Sequence, residues 1–253
     1  MRMHVLPAGR LRMKRTVFDA TADRDARFEL PVGAFLLRHP QGNVLFDSGC
    51  HPSVATDAAA RWGGLAKVMV PVFSEAEALP ASLASAGLGA DDIDVVVCSH
   101  LHSDHCGCNE LFRRATVVCN THELAAARAP DAAAMGYVAA DWDHPMPVQA
   151  FDATLDLFGD GRIVLLHMPG HTPGMSCARV ELDRTGAVLL ASDAVSLRDS
   201  LDRDYAPRNT WNIEKLLASM AEIRRMEAAG AWVICGHDDA QWRTLRTGAE
   251  YYD

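Results

Sequence analysis

The segment His100-Leu101-His102-Ser103-Asp104-His105 packs three imidazoles and a carboxylate into six positions, directly after the apolar run Ile93 to Cys98. Imidazole and carboxylate are the donors that suit zinc and related transition metals. On extended backbone, side chains two apart point the same way, so His100 and His102 can share one ion. A turn then swings Asp104 and His105 toward a second ion, at the separation of about 3.5–4 Å usual in two-metal sites. Three more donors sit in the same setting, each just beyond an apolar run. They are His171 in Met168-Pro169-Gly170-His171-Thr172-Pro173-Gly174, Asp193 in Ala191-Ser192-Asp193-Ala194, and His237 in Cys235-Gly236-His237-Asp238.

The remaining six of the 11 histidines take blander roles. His4, His39, His51, His122 and His144 read as surface or loop residues. His167 reads as a packed or exposed residue at a strand end. Cys106 and Cys108 form C-x-C rather than a paired zinc knuckle, and read as small packing residues. Asp47, in Asp47-Ser48-Gly49, is open to two readings. It either shapes a turn or orients a ligand histidine from behind.

Something must hold those donors in place, and the elements around them are strands. Val32 to Arg38 and Asn43 to Phe46 flank a Pro-Gln-Gly turn and predict a β-hairpin ending at Asp47. Ile93 to Cys98 predicts a buried strand, followed by strands at 115–119, 152–157, 162–167, 176–182, 187–191 and 231–235. Helices are expected at 75–88, 121–128 and 212–229. The last has apolar Ile213, Leu216, Leu217, Met220 and Ile223 at 3/4 spacing and is closed by Gly230. Residues 51–73 are irregular and end in the apolar patch Met69 to Phe73, and 129–150 read as a long connection. Every candidate ligand therefore follows a strand, in a chain of two similar halves with no linker between them. The expectation is one layered α/β domain spanning 1–253.

Composition narrows the chemistry. The chain has 253 residues, 49% hydrophobic and 23% charged, with a net charge of −9 and no basic run beyond pairs such as Arg113-Arg114. Nucleic acid needs a basic face to neutralise phosphate, so no nucleic-acid partner is expected. The seven cysteines are odd in number and irregularly spaced, which favours reduced thiols in a cytoplasmic setting over a disulfide framework. Met1 to Arg15 holds five basic residues and no apolar core of a signal peptide. No apolar run approaches the ~20 residues of a membrane helix, so no membrane partner is expected.

His100-x-His102-x-Asp104-His105, followed by His171, Asp193 and His237, resembles the metallo-β-lactamase superfamily along essentially the whole chain. Within it, the sequence is most similar to the N-acyl-homoserine lactonases. The similarity rests on length, the segment Leu30 to Leu37, Gly236-His237-Asp238-x-x-Gln241 and the ending Ala249-Glu250-Tyr251-Tyr252. The resemblance implies a four-layer αββα sandwich with metals at one edge. It also implies the ligand sets: His100, His102 and His171 for one zinc, Asp104, His105 and His237 for the other, and Asp193 bridging. The cofactors would be two divalent ions, with Zn2+ first and Mn, Fe or Co as alternatives. The substrate would be a small lactone, and the assembly a monomer or homodimer.

Two cations lower the pKa of a shared water, so a bridging hydroxide can attack a lactone carbonyl near neutral pH. Asp104 is then the candidate acid for the leaving alkoxide. One departure stands out. The lactonases carry a tyrosine three residues after the bridging aspartate, where it hydrogen-bonds the substrate carbonyl, and here that position is Ser196. Either Tyr205 supplies the phenol from a shifted position, or the substrate is not an acyl-homoserine lactone. A serine hydroxyl at 196 could act only through water. Met69 and Phe73, with Trp62 and Val70, could grip an alkyl tail, although ordinary core or an oligomer contact is the competing role. Other readings are a different lactonase or thioesterase on the same scaffold, an iron redox protein, or a non-catalytic metal-binding relative.

Overall fold

A computed structural model describes residues 1–253. Twelve strands form two sheets. The strands are β1 Arg2–Lys14, β2 Arg27–His39, β3 Gly42–Phe46, β4 Val70–Pro71, β5 Val95–Val97, β6 Thr116–Asn120, β7 Val148–Phe151, β8 Thr154–Asp156, β9 Ile163–His167, β10 Ser176–Leu182, β11 Gly186–Ser192 and β12 Trp232–Cys235. The first sheet runs β4-β1-β2-β3-β5-β6-β7 and the second β12-β11-β10-β9-β8. The two halves are thus unequal, seven strands against five.

Strand alternation explains the layering. Along β2, Val32, Ala34 and Leu36 face one core, and Phe35 and Leu37 face another. β3 does the same, with Leu45 on one side and Val44 and Phe46 on the other. A sheet buried on both faces needs near-continuous apolar strands, and that is what these segments are. Phe35, Leu37, Val44 and Phe46 meet Leu165, Ala178, Val188 and Leu190 of the second sheet between the two sheets. The outer face of the first sheet packs on the helices Val54–Trp62, Leu79–Ser85 and Thr121–Ala127. Leu189, Ala191 and Val233 on the outer face of the second sheet pack on Leu216, Met220 and Ile223 of the helix Ile213–Ala228. The order is helix, sheet, sheet, helix, the αββα sandwich.

Three elements differ from expectation. The N-terminal run forms β1, a 13-residue strand paired antiparallel with β2. Its arginines hid the pattern. Met3, Val5, Leu6, Ala8 and Leu11 are buried, while Arg10 and Arg12 reach outward to Glu29. Residues 51–73 contain the helix Val54–Trp62, and the end of the expected 129–150 connection becomes edge strand β7. No helix is long and apolar enough to cross a membrane.

Direction within the sheets sets up the site. β3, β5 and β6 are mutually parallel. β11 and β12 are parallel, and β9 shares their direction because both β9 and β11 are antiparallel to β10. The segments that follow β3, β5, β9, β11 and β12 carry Asp47, His100, His171, Asp193 and His237. Open sheets bind ligands beyond the carboxyl ends of their strands, where loops leave backbone free to converge.

Candidate metal centre

The seven donors come together. The ligand atoms of His100, His102 and His171 lie within 4.8 Å of one another, as do those of Asp104, His105 and His237, and those of His100, His105 and Asp193. Asp193 stands between the two triads. Its Oδ2 is 3.3 Å from His171 Nε2, and its Oδ1 is 3.0 Å from His237 Nε2 and 3.8 Å from His105 Nε2. Asp104 Oδ2 is 3.6 Å from Nε2 of both His105 and His237. All are buried except His102, which is half-buried.

What lies behind each imidazole decides what its front nitrogen can do. His102 Nε2 donates to the Met135 carbonyl at 3.0 Å, and His237 Nδ1 to the Pro31 carbonyl at 2.8 Å. His105 Nδ1 donates to Asp47 Oδ2 at 2.9 Å, and His100 Nδ1 to Ser99 Oγ at 3.0 Å. A ring whose far nitrogen is committed as donor presents a bare lone pair at the other. His102 Nδ1 and His171 Nε2 then face each other at 3.1 Å, and His105 Nε2 and His237 Nε2 at 3.3 Å. His100 Nε2 is buried with no partner at all. Buried lone pairs aimed at one another are costly unless a cation or proton lies between them. The donor set therefore fits divalent cations.

Burial, with the neighbouring imidazoles, presses His100 far below its usual range and takes His102 to about 4, so both are neutral near pH 7. For His105, burial opposes a charge, but Asp104, Asp47 and Asp193 outweigh it and hold its pKa at about 10. His237 is raised against burial mainly by Asp193. A cation at that end competes with protons, as metal ligands in general require.

Asp47 faces the site from behind. Its carboxylate accepts from Ser99 N at 2.7 Å and Ser99 Oγ at 2.8 Å as well as from His105. It and Ser192 adopt left-handed φ values of 61° and 45°. Such backbone is strained for a residue with a side chain, and strain of this kind concentrates where a site demands it. Cys106 and Cys108 are buried in the core as free thiols and belong to no ligand group.

The sequence profile of the Metallo-beta-lactamase superfamily matches residues 27–237. The chain belongs to the metallo-beta-lactamase superfamily. Among curated members, it is 33% identical to the N-acyl homoserine lactonase AttM of Azorhizobium caulinodans, covering 100% of this chain and 99% of that one. It is 31% identical to the AttM lactonase of Agrobacterium fabrum, covering 100% and 98%. A solved N-acyl homoserine lactone hydrolase with N-hexanoyl-L-homoserine at its metal centre superposes with a TM-score of 0.89 at 23% identity, covering 99% of this chain and 98% of that one. The dizinc quorum-quenching lactonase AidC shares the fold at a TM-score of 0.68 and 15% identity, over 94% and 87%.

Against that superfamily frame, two expectations need correcting. Tyr205 does not turn its phenol toward the seven donors. The short helix Arg198–Asp202 ends in a turn with Asp204 at φ 52°, and the Tyr205 hydroxyl accepts from Ala20 N at 2.9 Å. We expect Tyr205→Phe to leave kcat/KM within about twofold while costing about 1 kcal/mol of stability, the worth of one hydrogen bond. Steady-state kinetics and a urea titration check both, and a tenfold fall in kcat/KM would return Tyr205 to the mechanism. Phe73 is also misplaced. It packs on Gly9 and lines a separate groove with Arg10 and Trp242.

Met69 lies on the other side, toward the donors. It lines a cavity of about 650 Å³ that opens on His102 and His171, and Leu65, Val68 and Trp211 share its wall. The sequence offered no sign of Leu65 or Trp211, which approach only when distant loops fold together. Ser196 is buried, and its carbonyl accepts from His237 N at 2.8 Å.

Proposed function

We propose that this protein opens the ring of an N-acyl-homoserine lactone, using two divalent cations, zinc in the first instance. The observation that carries the reading is the apolar cavity beside His102 and His171, in a chain akin to lactonases along its full length. A polar head fits at the donors and an alkyl tail along Met69, Leu65 and Val68.

His100, His102 and His171 would hold one cation, Asp104, His105 and His237 the other, and Asp193 both. When bound, the pair supplies Lewis acidity, which lowers the pKa of a water molecule and stabilises negative charge developing on the carbonyl oxygen. The protein's own groups do the rest. Met135, Pro31, Asp47 and Ser99 fix the tautomers of His102, His237, His105 and His100, so those rings need not turn during turnover. The cavity's apolar wall excludes bulk water and holds the acyl chain. Asp104 carries a proton to the ring oxygen as the acyl C–O bond breaks. Water thus contributes its oxygen to the new carboxylate and a proton to the new hydroxyl, giving a hydroxy acid.

Ser196 favours a second reading, a lactone without a long acyl tail, because the phenol that grips the carbonyl in the lactonases is missing. One experiment separates the two. Zinc-loaded protein is assayed by pH indicator against homoserine lactones with acyl chains of four to ten carbons, simple γ- and δ-lactones, a thioester and a β-lactam. We expect KM to fall as the acyl chain lengthens. A flat KM with good turnover of simple lactones would select the second reading. No ring-opening of any lactone would sink both.

A further inference from the structure

Asp47 is not the only buried carboxylate behind the donors. Another is Glu123, in the first turn of the helix Thr121–Ala127, with no exposed surface. It touches no ligand imidazole. Its Oε1 accepts from Leu101 N at 3.0 Å and its Oε2 from Gly174 N at 2.9 Å. Leu101 lies between His100 and His102, and Gly174 lies three residues beyond His171. The hydroxyls of Thr172, next to His171, and of Tyr137, whose ring sits 5.3 Å from that of His102, also turn toward Glu123.

The approach is close by construction. A Cβ on Gly174 would fall 2.2 Å from Glu123 N, so the His171 loop can reach this helix only with glycine at 174. One carboxylate thus ties together the two loops that come from different sheets, the first after β5 and the second after β9. Asp47, by contrast, accepts from His105 directly and reaches His100 only through the Ser99 hydroxyl.

We infer that Glu123 is the positioning residue of one cation site, that of His100, His102 and His171, while Asp47 plays the same part for the His105 end. The inference rests on the two-cation reading above. A carboxylate matches two converging N–H groups with two acceptor oxygens. A carboxamide offers only one acceptor and turns its NH2 on the other N–H. Glu123→Gln therefore parts the loops without changing side-chain size.

The test is competition between the protein and a chromophoric chelator for Zn2+, which reads two affinities separately. Wild type should bind two ions, and a wild type that binds none defeats the two-cation reading itself. Given two ions in wild type, Glu123→Gln should weaken one of them by tenfold to a hundredfold, the usual effect of removing a group behind the ligands. The other should hold within about threefold. Asp47→Asn should weaken one ion, that of the directly bonded His105, at least tenfold more than the other, which it reaches only through Ser99, and the double variant should weaken both. Circular dichroism of the metal-free proteins checks the fold. If Glu123→Gln does not fold, Glu123→Asp, which keeps both acceptor oxygens on a shorter arm, takes its place and should weaken one ion about tenfold while the other holds within about threefold. Wild-type affinity for both ions, equal weakening of both, or a double variant that still keeps one ion at full strength would overturn the assignment.

Discussion

Asp193→Ala should lower lactone kcat/KM on the order of 10³-fold, about 4 kcal/mol of transition-state stabilisation, and leave a protein that retains fewer than two zinc ions after gel filtration. The size of the effect comes from position. The other six donors divide into His100, His102 and His171 at one end and Asp104, His105 and His237 at the other, but the two oxygens of Asp193 face His171 on one side and His237 and His105 on the other. Removing it takes a negative charge from both groups at once. In the metal-free chain, those imidazoles hold the Asp193 carboxyl far below the usual range despite its burial, a sign of how much positive charge the pocket is built to balance. Asp193→Asn keeps one oxygen ligand and loses the charge, so it should fall between Ala and wild type. Metal analysis on the same samples distinguishes a lost ion from a lost fold. Full activity with two ions in Asp193→Ala would remove the bridging role.

The donors were legible because their chemistry is local. His100 to His105 announce themselves in six residues, and His171, Asp193 and His237 each follow a strand whose apolar run is visible in the sequence. The strands that hold them were legible for the same reason, since both sheets are buried on both faces. What escaped was set by partners far away in sequence. β1 is a strand because its 13 residues pair with β2, yet its outward arginines interrupt the apolar pattern that would mark it in the sequence. Tyr205 seemed a candidate because a phenol was missing at 196, and only the turn at Asp204 shows where it points. Glu123 carries no mark of its role in Thr-His-Glu-Leu. Nothing in that tetrapeptide says that Leu101 and Gly174 will donate to it. The left-handed φ at Asp47 and Ser192 marks the same boundary, for strain at these residues is imposed by the assembled site.

Stripping the metals should do more than stop turnover; it should lower Tm by about 10 °C or more. An ion present at roughly a thousand times its Kd stabilises the folded state by about 4 kcal/mol. In a chain of this length each kcal/mol moves Tm by roughly 2–4 °C, so one ion alone accounts for about 8–16 °C. The structure says why nothing else compensates. His102 Nδ1 and His171 Nε2 at 3.1 Å, and His105 and His237 Nε2 at 3.3 Å, are ring nitrogens turned on one another in one pocket, and His100 Nε2 has no other partner. Protons must take the cations' place or the loops must part. Zn2+ should restore both Tm and activity. Mg2+ at the same concentration should restore neither, because it prefers oxygen donors and keeps its waters, whereas five of these seven groups offer imidazole nitrogen. Reducing agents should change nothing, since all seven cysteines are free and none is a ligand. A chelated protein with unaltered melting and unaltered turnover would mean that the convergence of these side chains serves some purpose other than holding metal.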